Sequence, residues 1–145
     1  MGAGGRHGAR RLLLQALYQS QVGGHDVEQL IEQFSESDAF ADIDRDYFVN
    51  LLTEITADTE SLETRIAAAA DRPVEQLDPI ELSILLIGVH ELESRIDIPY
   101  KVVINEGVNL ARRFGAVDSH KYINACLDAA AQSLREVEVQ ANAGG

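Results

Sequence analysis

Apolar residues recur along most of the chain at the three- and four-residue spacing of an amphipathic helix. From about Ala9 to Val22, the positions Ala9, Leu13, Ala16 and Leu17 share a side. Gly23-Gly24 ends that helix, since glycine readily takes the left-handed conformation of a helix C-terminus. Val27, Leu30, Ile31 and Phe34 mark a second, shorter helix after Asp26, and the acidic stretch Ser35–Asp44 reads as a loop. The clearest stripe is Phe48, Leu51, Leu52, Ile55, Thr59, Leu62 and Ile66, which predicts one third helix from about Asp44 to Ala70.

Pro73 breaks the pattern. Asp78-Pro79-Ile80-Glu81 then opens a fourth helix: Asp78 caps, Pro79 suits the first helical position, and Glu81 stands at capping-box spacing. Leu82, Ile84, Leu85, Leu86, Ile87, Val89 and Leu92 cover nearly every side of it, so it should be central and buried. After Pro99, the residues Val102, Val103, Ile104, Val108, Leu110, Ala111 and Phe114 form a fifth helix, ended by Gly115. Asp118 or Ser119 caps a sixth, with Ile123, Cys126, Leu127, Ala130 and Leu134 on its core side. No convincing strand alternation occurs. The expectation is an all-α single domain of six to seven helices over residues 9–137, with a flexible basic arm at 1–8 and a flexible tail at 138–145.

Composition sharpens this picture. The 145 residues are 46% apolar but only 6% aromatic, with no Trp, so the core is built from aliphatic side chains. The net charge of −12 is unevenly spread: residues 1–25 carry +3, residues 26–95 carry −14, and the remainder −1. A short basic end on an acidic chain suggests a local contact with an anion. Cys126 is the lone cysteine, which excludes an intrachain disulfide and a multi-cysteine metal site. There is no apolar run near the ~18 residues of a membrane span, and no signal-peptide pattern, so a cytoplasmic protein away from membranes is expected.

The search for catalytic chemistry returns negatives. Asp118-Ser119-His120 has the letters of a hydrolytic triad, but neighbours on a helix point about 100° apart. His90-Glu91 lacks a second histidine at metal-binding spacing, and Asp42, Asp44 and Asp46 lack the glycine and closing glutamate of a calcium loop. No glycine-rich phosphate loop is present. The expectation is a protein that is not an enzyme, with no catalytic residues, cofactor or metal.

Two faces remain. On the first helix, Arg6 and Arg10 lie four residues apart and so on one side, continued by the polar Gln15 and Tyr18. Arginine grips phosphate, and tyrosine stacks on bases. On the sixth helix, Asp118, Lys121, Tyr122 and the small Ala125 turn away from the core, with Asn124 on the edge. Charge, an aromatic and an amide together suit single-stranded RNA, whose bases are stacked and hydrogen-bonded at their edges.

Several runs resemble one family. Gln15-Ala16-Leu17-Tyr18 is similar to the opening helix of NusB proteins. Ile98-Pro99-Tyr100-Lys101-Val102-Val103-Ile104-Asn105-Glu106 and Phe114-Gly115-Ala116-Val117-Asp118-Ser119-His120-Lys121-Tyr122-Ile123-Asn124 resemble their fifth- and sixth-helix signatures. Asp46-Tyr47-Phe48 and Val89-His90-Glu91-Leu92 match more loosely, and the resemblance spans residues 6–135 in unbroken order.

The resemblance implies two three-helix bundles set across each other, and a transcription antitermination factor. Such a factor, paired with the small-subunit ribosomal protein NusE, holds the boxA segment of nascent RNA. It helps RNA polymerase, within an antitermination complex, to elongate through ribosomal RNA operons. By position, Arg6, Arg10, Tyr18, Asp118, Lys121 and Tyr122 are the implied RNA-binding residues; helix spacing adds Gln15 and Asn124, and Arg11 is a compensating cation, while Glu81 falls on the helix facing NusE with Tyr18 near that boundary. Whether the isolated chain is a homodimer stays open, because the family varies. The chain departs from the family at three places: His7 and Gly8 interrupt the N-terminal arginine cluster, with Arg11 pointing elsewhere on the helix; Ala67–Ala70 offer no aromatic; and Leu86 stands where arginine is common. Two other readings are a protein-only interaction adapter and a stand-alone relative of the RNA-binding domain of an rRNA methyltransferase.

Overall fold

The computed structural model describes residues 3–144. The chain divides into two compact units, Met1–Asp58 and Thr59–Gly145.

The first unit holds three α-helices: α1 (Ala3–Gly23), α2 (Val27–Ser35) and α3 (Arg45–Ala57). α1 packs against both others. Asp26 caps α2 through a full capping box, its carboxylate accepting from Gln29 N–H while the Gln29 side chain accepts from Asp26 N–H. Gly24, at φ 68°, takes the left-handed turn expected after α1. Phe48 anchors the core, with the rings of Phe34 and Phe40 each 5.8 Å away.

Two expectations change here. The stretch read as a loop contains a 3-10 turn, Asp38–Asp42, capped by Ser37. The segment 1–8, read as a flexible arm, is helical from Ala3 onward, while Met1 and Gly2 lie outside the described residues. Its anchor is visible: Asp44 N–H donates to the Gly5 carbonyl at 2.9 Å. A Cβ on Gly8 would stand 2.6 Å from Ile43 Cγ2, so the glycine that interrupts the arginine cluster is what lets α1 lie this close.

The second unit holds α4 (Thr59–Ala70), α5 (Pro79–Ser94), α6 (Tyr100–Phe114), α7 (Ser119–Leu134) and α8 (Glu136–Gly144). The predicted third helix is therefore two helices, broken at Asp58 (φ −127°, ψ 22°), and the expected tail at 138–145 is helical through Gly144. The described residues thus form eight α-helices, more than the six to seven expected, in an all-α fold. α5 is buried on all sides from Leu82 to Leu92, as its sequence foretells. Leu127 of α7 wedges between α5 and α6, and a Cβ on either Gly88 or Gly107 would stand 2.6 Å from one of its methyl carbons. At the end of α7, the buried Arg135 donates to the carbonyls of Glu91, Leu92, Arg95 and Ile98. These include the orphan carbonyls that close α5.

Candidate functional site

In the first unit the structure regroups the arginines. Arg6 and Arg10 share a side of α1, as their spacing requires, but that side meets α3. The Arg6 guanidinium lies 4.5 Å, and that of Arg10 5.5 Å, from the centre of the buried Tyr47 ring. Arg10 is only 4% exposed, which overturns its expected place on an open face. Arg6 is half-buried and lies 4.0 Å from the Asp44 carboxylate. The outward stripe of α1 is instead the half-buried Arg11 with the exposed Gln15 and Tyr18, continued by Val22. Successive offsets of four, three and four residues keep these within about 60° of one another around the helix. Arg11, read as pointing elsewhere, therefore shares the face of Gln15 and Tyr18 and is its cation. Tyr47 is the residue that decides this sorting, and only its weak place in the family pattern marked it.

In the second unit the candidates cluster around the start of α7. Asp118, Lys121, Asn124 and Ala125 are exposed, and Lys121 Nζ stands 3.5 Å from Asp118 Oδ1. Asp118 occupies the cap position without a side-chain cap bond. The start of α7 is held elsewhere: buried Ser119 donates its hydroxyl to Glu81 Oε2 at 2.9 Å. Asp78 caps α5 by accepting from Glu81 N–H at 2.8 Å. The Glu81 carboxylate thus locks α7 to α5, in place of the capping-box role its spacing suggested. Ser119 bonds Glu81 and not His120, so the triad-like letters form no relay.

Tyr122 is half-buried. Its hydroxyl is enclosed with no well-formed hydrogen bond, the Cys126 thiol being its polar neighbour one turn on. Burial, and then that thiol, push the phenol above its ordinary value of 10.0. Arg72 covers the ring, its guanidinium carbon 4.6 Å from the centre. The described residues contain no group of three or more His, Cys, Asp or Glu placed to hold a metal ion. No helix is long and apolar enough to cross a membrane.

Helical units presenting polar, aromatic and cationic helix faces make up an all-α fold. Comparison with known proteins makes it specific. The model of the NusB family matches residues 7–132. The transcription antitermination protein NusB of Pseudomonas syringae pv. tomato is 43% identical over 137 residues, covering 94% of this chain and 83% of that protein. That of Hydrogenovibrio crunogenus is 47% identical over 129 residues, covering 89% and 80%. The solved structure of T. maritima NusB shares the fold with a TM-score of 0.80 at 23% identity, over 93% of this chain and 96% of that one. The chain belongs to the NusB family.

Proposed function

We propose that this chain is an RNA-binding transcription antitermination factor that acts with NusE. Together they bind single-stranded boxA RNA of the nascent transcript and support processive transcription of ribosomal RNA operons in the cytoplasm. The observation that carries the reading is the match to antitermination proteins along nearly the whole chain.

The two faces give it chemical content. In the first unit, Arg11 supplies a cation, Gln15 an amide and Tyr18 an exposed ring, with Arg6 at the margin. In the second, Lys121 supplies a cation, Tyr122 a ring, and Asn124 and Asp118 hydrogen-bonding groups. Phosphate contacts position the strand, while stacking and base-edge contacts read it. An acidic chain of net charge −12 repels RNA elsewhere, which confines binding to these sites. Tyr18 and the Glu81 carboxylate are the groups proposed to meet NusE. The chain works by holding partners together and not by catalysis.

The test is transcription in vitro on a template with boxA ahead of a terminator. The reading expects the chain and NusE, with the other antitermination factors present, to raise readthrough only when boxA is intact. Equal readthrough from a scrambled boxA would overturn it.

A further inference from the structure

Arg72 stands next to the α7 face, yet no motif in the sequence marks it. It follows Asp71, which takes a left-handed backbone (φ 56°), unique for a non-glycine among the described residues, and it precedes Pro73. This turn leaves α4 and places the Arg72 guanidinium over the Tyr122 ring.

Two arginines of the second unit are already engaged in ion pairs. Arg65 pairs with Glu93, and Arg135 with Glu138. Arg72 is exposed, and among the described residues it forms no hydrogen bond and no ion pair, although Asp71 and Glu75 lie close in sequence. A guanidinium held with its carbon over an aromatic face still has N–H donors to offer, and its planar fork suits a phosphate, which can meet two of them at once. The ring also holds the long side chain in place, which reduces the entropy lost when a ligand binds.

We propose that Arg72 is a further RNA contact, carried on the Tyr122 ring and gripping a backbone phosphate of the strand that crosses the start of α7. This rests on the RNA-binding reading above and adds to it a cation from outside the helix-face pattern. Tyr122 then has two duties: its ring contributes to stacking, and it is the platform that positions Arg72.

The experiment is titration of labelled boxA RNA, with NusE present, over a series of salt concentrations. The chain is compared with Arg72→Ala, Arg72→Lys and Lys121→Ala, and with Tyr122→Ala alone and combined with Arg72→Ala. Arg72→Ala should weaken binding and lower the log–log salt slope by about 0.7, the loss of one phosphate contact on a single strand. Arg72→Lys should keep the slope but bind more weakly. The double variant should lose less than the sum of the two single losses. An unchanged slope in Arg72→Ala, with a lowered slope in Lys121→Ala, would overturn the contact alone. Additive losses would overturn the platform role of Tyr122. If the unchanged chain shows no salt-dependent binding, the RNA reading fails and this contact with it.

Discussion

Arg135 and Glu138, one helical turn apart where α7 gives way to α8, are joined at 2.6 Å, with the arginine side chain 5% exposed. Glu138 Oε2 also accepts the Tyr100 N–H at 2.9 Å, at the start of α6. The pair thus ties the ends of α5 and α7 to the beginnings of α6 and α8. Arg135→Ala strands backbone carbonyls, at about 1–3 kcal/mol for each that water cannot reach. The variant should lose about 3 kcal/mol or more by chemical denaturation. A loss within the surface range of about 0.5 kcal/mol would contradict the clamp.

Glu138 gives the clamp a pH signature. The Tyr100 N–H bond, and then Arg135, hold its carboxyl below the ordinary value of 4.5. A group lowered on folding stabilises above its unfolded value, and that contribution disappears as pH falls through the lowered one. Glu63 acts oppositely: burial, Glu75 and Glu60 raise it, so it favours the fold as pH drops. Glu138→Gln should therefore lose stability near neutral pH and lose less of it on acidification below 4.5 than the parent does. Parallel stability curves for the two proteins would remove Glu138 from the acid response.

The sorting of the α1 arginines predicts opposite phenotypes for neighbours. Arg10→Ala should destabilise by about 1–3 kcal/mol, since it removes a buried cation over Tyr47 and the packing of its stem. Arg11→Ala should leave the melting temperature nearly unchanged and lower the RNA salt slope by about 0.7. The reverse pattern would place the RNA face on the other side of α1.

For Tyr122, the buried hydroxyl has little to lose. Tyr122→Phe should match the parent in stability and in RNA affinity, because the ring and not the oxygen is used. Tyr122→Ala should lower RNA affinity about five- to 150-fold, the range of a stacking loss of about 1–3 kcal/mol. Equal affinity in the folded fraction of Tyr122→Ala would leave the ring a packing role only.

Much of this fold is legible in the sequence because its signals are local. Asp78-Pro79 starts α5, Gly23-Gly24 ends α1, and the unbroken apolar run from Leu82 foretells a buried helix. The break at Asp58 was hidden, because Ile55, Leu62 and Ile66 keep helical phase across it and neither glycine nor proline marks it. Arg135 and Arg72 were hidden for a different reason. Their partners lie about 40 and 50 residues away, and spacing along the chain carries no information about such contacts. The exposure of Lys121 and Asn124 followed from helix phase alone, whereas the burial of Arg10 depended on where Tyr47 of α3 came to rest.

The central claim is selective binding of boxA RNA together with NusE. It is tested most directly by the affinity of the chain for labelled boxA RNA and for a scrambled strand of the same composition, each with and without NusE, at one fixed salt concentration. The account predicts that boxA binds more tightly than the scramble and that NusE widens the gap. Equal affinity for the two strands in the presence of NusE would contradict it.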